Sequence, residues 1–271
     1  MYTGLMDKPP FRTKHVFTAL LGLLAALPAQ AQLDFGSPEI SESQITEYAI
    51  PFYKVIAAPL GSGRPLPLKR DGWSLGLETM ITPIPNREPF ENAERSVWPS
   101  LRILAGGTFR NAGVGVRGLS WRDPRLGNMA TFGTYAGYRV PVGKDWEAAL
   151  QGGWDHMRFR STYSYTVPGS ILTAGEHVPG NYTLWENSGG ATAGIAFRPG
   201  NWILMARSGP EITFARLQYL YYPSDGPREA HSTTTLQGWR SEGGIGWRGF
   251  RLEGGYYFDP YINLGWSWDW M

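Results

Sequence analysis

The chain has 271 residues, with 25 Lys+Arg against 23 Asp+Glu, 35 Gly, 21 Pro, 12 Trp and no Cys. Removing Lys8, Arg12, Lys14 and Asp7, which lie in an export leader, leaves 22 charges of each sign, so no basic surface for nucleic acid is expected. The absence of cysteine excludes a disulfide framework and a thiolate metal site, and stability must come from one sizeable domain.

The chain opens with Lys8, Arg12 and Lys14 ahead of the apolar run VFTALLGLLAAL, which ends at Ala29-Gln30-Ala31. This order of charge, apolar core and small residues predicts a secretory signal peptide over residues 1–31. Its core is too short to span a bilayer as a helix, and no later stretch supplies the roughly twenty apolar residues a helical span needs. Residues 32–71 include the Pro/Gly-rich AAPLGSGRPLPLKRDG and read as an irregular segment, either a periplasmic tail or a lumen filler. Within it AIPFYKVIAA (49–58) is a candidate extra strand, and no amphipathic helix stands out.

From residue 72 onward the clear apolar period is two, which predicts an all-β fold with ten strands: 72–81, 99–109, 112–121, 130–140, 145–160, 182–197, 202–221, 233–247, 250–258 and 261–270. The connections alternate. Short turn sequences, RNAG, PVGKD, RPGN and RG, join strands 2-3, 4-5, 6-7 and 8-9, whereas the links at 82–98, 122–129, 166–181 and 222–232 are long and polar. Short turns on one side, long loops on the other and an even strand count are the pattern of a transmembrane up-and-down barrel of the bacterial outer membrane.

The two faces of these strands differ sharply. One carries Trp73, Leu75, Ile103, Val114, Val116, Phe132, Tyr138, Trp146, Leu150, Trp154, Ile195, Trp202, Leu204, Ile245, Leu252, Tyr256 and Phe258, and no charge. The other carries Glu78, Arg102, Arg117, Arg139, Glu147, Glu186, Arg207, Glu211, Arg240, Glu242, Arg251 and Glu253, interleaved with Gly106, Gly137, Gly153, Gly189 and Gly255. A soluble lipocalin-like cup would bury the first face. Two observations favour lipid on that face instead. Glycine on a water-facing strand weakens it to no benefit, whereas in a narrow lumen it makes room for arginine. Beyond the leader lysine is confined to Lys54, Lys69 and Lys144.

The last strand, NLGWSWDWM, resembles the β-signal of bacterial outer-membrane barrel proteins: Asn263, Gly265, Trp268 and Trp270 occupy its polar, glycine and aromatic positions, with Met271 following where many members end on the aromatic. The resemblance covers residues 72–271 as a structural class. It implies residence in the outer membrane, contact with its lipid, and recognition by the barrel-assembly machinery.

Chemistry is sparse. Past the leader the histidines are His156, His177 and His231, beside Asp155, Glu176 and Glu229. Asp155 and His156 are strand neighbours and must face opposite ways, while Glu176-His177 and Glu229-His231-Ser232 are expected in long loops. No catalytic residue, cofactor site or metal site is assigned. Ten strands lie near the filled end of barrel sizes, so a lumen plugged by paired arginines and glutamates is expected. The expected role is that of a structural or surface barrel, with a periplasmic partner docking through residues 32–71. The alternatives are a surface hydrolase using His177 and His231, and a narrow small-solute channel.

Overall fold

A computed structural model describes residues 50, 53–55, 57, 58, 60–64, 71–83, 97–123, 127–166, 177–221, 226 and 228–270. The period-two segments form ten strands: β1 (Gly72–Pro83), β2 (Val97–Phe109), β3 (Ala112–Asp123), β4 (Gly127–Pro141), β5 (Trp146–Thr166), β6 (His177–Phe197), β7 (Trp202–Tyr221), β8 (Arg228–Trp247), β9 (Phe250–Tyr257) and β10 (Asp259–Trp270). Every neighbour in sequence is an antiparallel neighbour in space. The sheet closes where β1 meets β10, in a register running from Trp73↔Trp270 to Ile81↔Ile262. Closure leaves no edge strand to be satisfied by solvent, the condition for a sheet that crosses lipid.

The tight turns explain their own sequences. Arg248 and Gly249 both have positive φ, 47° and 87°, the geometry of a two-residue hairpin turn matched to strand twist. The β2–β3 turn likewise places Arg110 at φ 57° between the paired Phe109 and Ala112.

The face assignment is settled by exposure. Trp73 is 72% exposed, Leu150 60% and Trp239 62%, whereas Arg102, Arg117 and Arg240 are 2% or less. Apolar side chains cover the outside and charges fill the inside, the inverse of a soluble cup, so burying that outer face takes lipid. The outer aromatics fall in two belts. Trp73, Phe109, Tyr138, Trp146, Trp202 and Trp247 lie near the short turns, while Phe132, Trp154, Phe214 and Trp239 lie further up the wall.

Three expectations need correction. Phe258 does not belong to the outer face. It sits in the β9–β10 turn at φ 62°, with its ring 4.3 Å from that of Tyr257 and the Lys54 ammonium 5.7 Å above it. Gly189 faces outward, level with Trp154 across β5–β6. The inward glycines make room for tyrosine as well as for charge. A Cβ on Gly106 would run into the Tyr135 hydroxyl, one on Gly115 into the phenol end of the same side chain and one on Gly255 into Tyr261, whereas Gly153 leaves space for Arg64.

Gly115 therefore supplies a quantitative test. A valine there would press on Tyr135 from one side and on the Ala105 carbonyl, 2.6 Å from the new Cβ, on the other. Gly115→Val is expected to destabilise by about 3 kcal/mol, the upper end of overpacking costs, because backbone cannot yield as a side-chain tip can. Adding Tyr135→Ala should recover part of the loss, read as the urea midpoint of the detergent-folded protein.

Candidate functional site: the filled lumen

The interior is occupied by the chain's own residues 53–55, 57, 58 and 60–64. Tyr53, Lys54, Val55, Ala57, Ala58 and Leu60 have helical backbone rather than that of an extra strand, and Tyr53, Val55, Ala57 and Ala58 have no solvent exposure. This helix was not evident from pattern because it is buried on all sides and shows no amphipathic period.

The barrel holds this segment by its backbone. Arg240 donates from Nη1 to the Ala58 carbonyl at 2.6 Å and from Nη2 to that of Ala57 at 3.3 Å. Arg102 donates to the carbonyls of Leu60, 2.7 Å, and Ser62, 3.1 Å, and Arg117 donates to the same two. Arg207 and Gln151 both reach the Arg64 carbonyl. The last carbonyls of a helix lack intrahelical donors and form the negative end of its dipole, so guanidinium groups at Ala57, Ala58 and Leu60 satisfy both needs at once.

Behind these donors runs a chain of ion pairs. Glu211 takes the Arg240 guanidinium on both oxygens, and Glu242 accepts from Arg207 and from the Tyr261 hydroxyl at 2.5 Å. Glu253 joins Arg207, 3.4 Å, to Arg251, 3.2 Å, and Glu78 joins Arg251, 3.7 Å, to Arg102, 2.6 Å. Asp155 ends the chain with a two-point contact to Arg117, 2.7 and 2.6 Å, and a bond from Arg64 at 3.4 Å, and it lies 3.9 Å from Arg102. Every residue in it except Arg251, which is partly exposed, is nearly fully buried. Such burial is tolerable only because each charge is paired and hydrogen-bonded. A second, smaller cluster near the short turns joins Glu147 to Arg139 at 3.1 Å and to Arg198 at 2.8 Å.

All twelve lumen residues expected from the strand parity face inward. Glu186 belongs to neither cluster: it is fully buried, and among the described residues neither carboxylate oxygen has a hydrogen-bond partner. Asp155, Arg64 and Arg198 were missed. Asp155 was legible, since it shares the parity of Glu147 and Gly153, whereas Arg64 and Arg198 lie outside the strands and gave no such signal. Asn263 joins the lumen too, its Nδ2 lying 3.4 Å from both Glu78 and Glu253, and Gly265 packs beneath Arg251. Trp266 and Trp268 face outward with their rings in an edge contact.

The segment has a direction. Tyr53 bonds the Ser232 carbonyl near the loop end of β8, Ala57 and Ala58 meet Arg240 midway down that strand, and Arg64 meets Arg207, five residues from the turn end of β7. Read from residue 64 back to 53, the chain climbs from the short-turn end toward the long-loop end.

The histidines do not assemble a site. His156 faces outward with Nδ1 3.0 Å from Asn187 Oδ1, while Asp155 faces inward. His231 and Ser232 lie within β8 rather than in a loop. His231 Nε2 meets Glu229 at 3.2 Å on the outer face, whereas Ser232 points inward and is buried, so the two cannot act as a dyad. Glu176 lies outside the described residues. Among the described residues no group of three or more potential ligands could hold a metal ion.

No family model and no curated protein sequence matches the chain. Among solved structures it is similar to the translocator domain of the autotransporter NalP from Neisseria meningitidis, at 13% identity and a TM-score of 0.41 over 84% of this chain and 98% of that one. It is also similar to the TodX deltaS2S3 mutant monoaromatic hydrocarbon channel, at 9% identity and a TM-score of 0.29 over 76% and 91% of the two chains. A third likeness is to the CymD monoaromatic hydrocarbon channel, at 10% identity and a TM-score of 0.25 over 74% and 88%. The chain has the architecture of an outer-membrane β-barrel, on the strength of its own strand closure and inverted faces.

Proposed function

We propose that this protein is a non-enzymatic, closed barrel of the bacterial outer membrane that works as a structural surface protein, its lumen stoppered by its own amino-terminal segment. The observation that carries this reading is the grip of four arginines on the carbonyls of Ala57, Ala58, Leu60, Ser62 and Arg64. A lumen built to pass solutes would leave such donors to water or to a ligand; here they are spent on the protein's own backbone.

The upward course of the segment favours display of the chain ahead of residue 50 on the cell surface. A periplasmic partner docking through residues 32–71 fits less well, because Tyr53, Val55, Ala57, Ala58, Leu60, Ser62 and Arg64 are enclosed by the wall. Since the chain has no cysteine, single cysteines report position cleanly. Ser43→Cys is expected to react with a membrane-impermeant maleimide on intact cells, and Lys144→Cys, in the β4–β5 turn, only after the outer membrane is permeabilised. The reverse pattern would return the segment to the periplasm.

A further inference from the structure

Just above the apolar band the outer wall carries a group that the lumen does not explain. Arg158, Trp185 and Arg216 are direct cross-strand neighbours on β5, β6 and β7. The two guanidinium carbons lie 5.8 and 5.7 Å from the Trp185 ring, one on each flank. Both arginines are exposed, and among the described residues neither has a carboxylate partner. Glu229, the outer-face acid on β8, is engaged by Gln218 and His231. Thr233 and Thr235 on β8 and the His156–Asn187 pair complete a polar hollow around the indole.

The position matters as much as the chemistry. Arg158 is four residues above the lipid-facing Trp154 on β5, and Arg216 two above the lipid-facing Phe214 on β7. Strand residues of equal parity share a face, so these cations stand on the wall directly over the upper aromatic belt, where lipid headgroups begin. Two unneutralised guanidiniums beside an amphipathic ring at that height match a phosphate-bearing headgroup. Arginine is the side chain whose fork best fits phosphate oxygens, and the indole packs against the sugar or glycerol that bears them.

We infer that Arg158, Trp185 and Arg216 form an external site for a phosphorylated lipid headgroup of the outer leaflet, a site that rests on the membrane placement of the barrel. The test titrates wild-type and Arg158→Gln/Arg216→Gln proteins, inserted in phosphatidylcholine nanodiscs, with bisphosphorylated lipid A and with its phosphate-free counterpart, counting retained lipid by native mass spectrometry. Wild type should retain the phosphorylated form roughly thirtyfold more tightly than the double variant does, as expected at about 1 kcal/mol per arginine near a charged lipid surface. The phosphate-free lipid should not distinguish the two proteins. Because both side chains lie outside the wall, heat-modifiable migration should be unchanged in the variant. An inserted wild type that is indifferent to the lipid's phosphates, or a double variant that binds as wild type does, overturns the site alone. A chain that never enters the nanodisc overturns the membrane placement, and the site with it.

Discussion

Replacing Asp155 by alanine is expected to destabilise the barrel by about 3–5 kcal/mol, the cost of removing one partner from a buried ion pair. Three arginines depend on this carboxylate: Arg117 through two short bonds, Arg64 at 3.4 Å, and Arg102 at 3.9 Å. Alanine would leave them facing one another with Glu78 as the nearest remaining acid, 2.6 Å from Arg102 and 3.8 Å from Arg117. The damage comes from the stranded cations rather than from lost attraction. Asp155→Ala/Arg117→Met should therefore be markedly less destabilised than Asp155→Ala. The measurement is the urea midpoint of vesicle-folded protein, followed by heat-modifiable migration. An Asp155→Ala protein within 1 kcal/mol of wild type, a threshold at the scale of a surface pair, would show that these ion pairs contribute nothing.

The second large effect concerns passage through the barrel. In planar bilayers wild type is expected to stay silent, whereas deletion of residues 50–64 should give a steady ohmic conductance. Without the segment the middle of the lumen presents Arg102, Arg117, Arg207, Arg240 and Arg251 against Glu78, Asp155, Glu211, Glu242 and Glu253. With the two signs interspersed and balanced, the opened pore should favour neither cations nor anions strongly. The deletion removes no strand, and retained heat-modifiable migration would show that the wall still closes. The milder pair Arg102→Gln/Arg117→Gln, which weakens the hold on Leu60 and Ser62, should give intermittent openings. Steady conductance by wild type would instead support the small-solute channel.

Most of the wall was legible because a strand half-facing lipid and half-facing charge writes its period of two in strong letters: Trp146, Ala148, Leu150 and Trp154 against Glu147, Gln151 and Asp155. The upper reaches of β5, β6 and β8 were not, and these strands run past the expected ends to Thr166, His177 and Arg228. Above the aromatic belt both faces meet polar surroundings, and the alternation that marks a strand fades. A strand of 21 residues, β5 or β6, rises ~70 Å along its own axis, far more than the ~25 Å apolar band needs even when tilted. The lumen segment was hidden for the opposite reason. Tyr53, Val55, Ala57 and Ala58 are surrounded on all sides, so their pattern carries no period, and their role is written in carbonyls that no sequence displays. Parity placed the charges correctly, but which arginine would bond backbone and which carboxylate depended on the course of a segment whose helix was not foreseen.

The position of Asn263 ties the closing strand to both of its neighbours. Its amide sits between Glu78 of the first strand and Glu253 of the penultimate one, so those three groups meet only when the seam zips shut. With the seam open, Glu78 would keep Arg102 and Glu253 would keep Arg251, but the amide that bridges the two carboxylates would be lost. The last strand thus carries the latch of the barrel, holding the first strand and the penultimate one through a single amide.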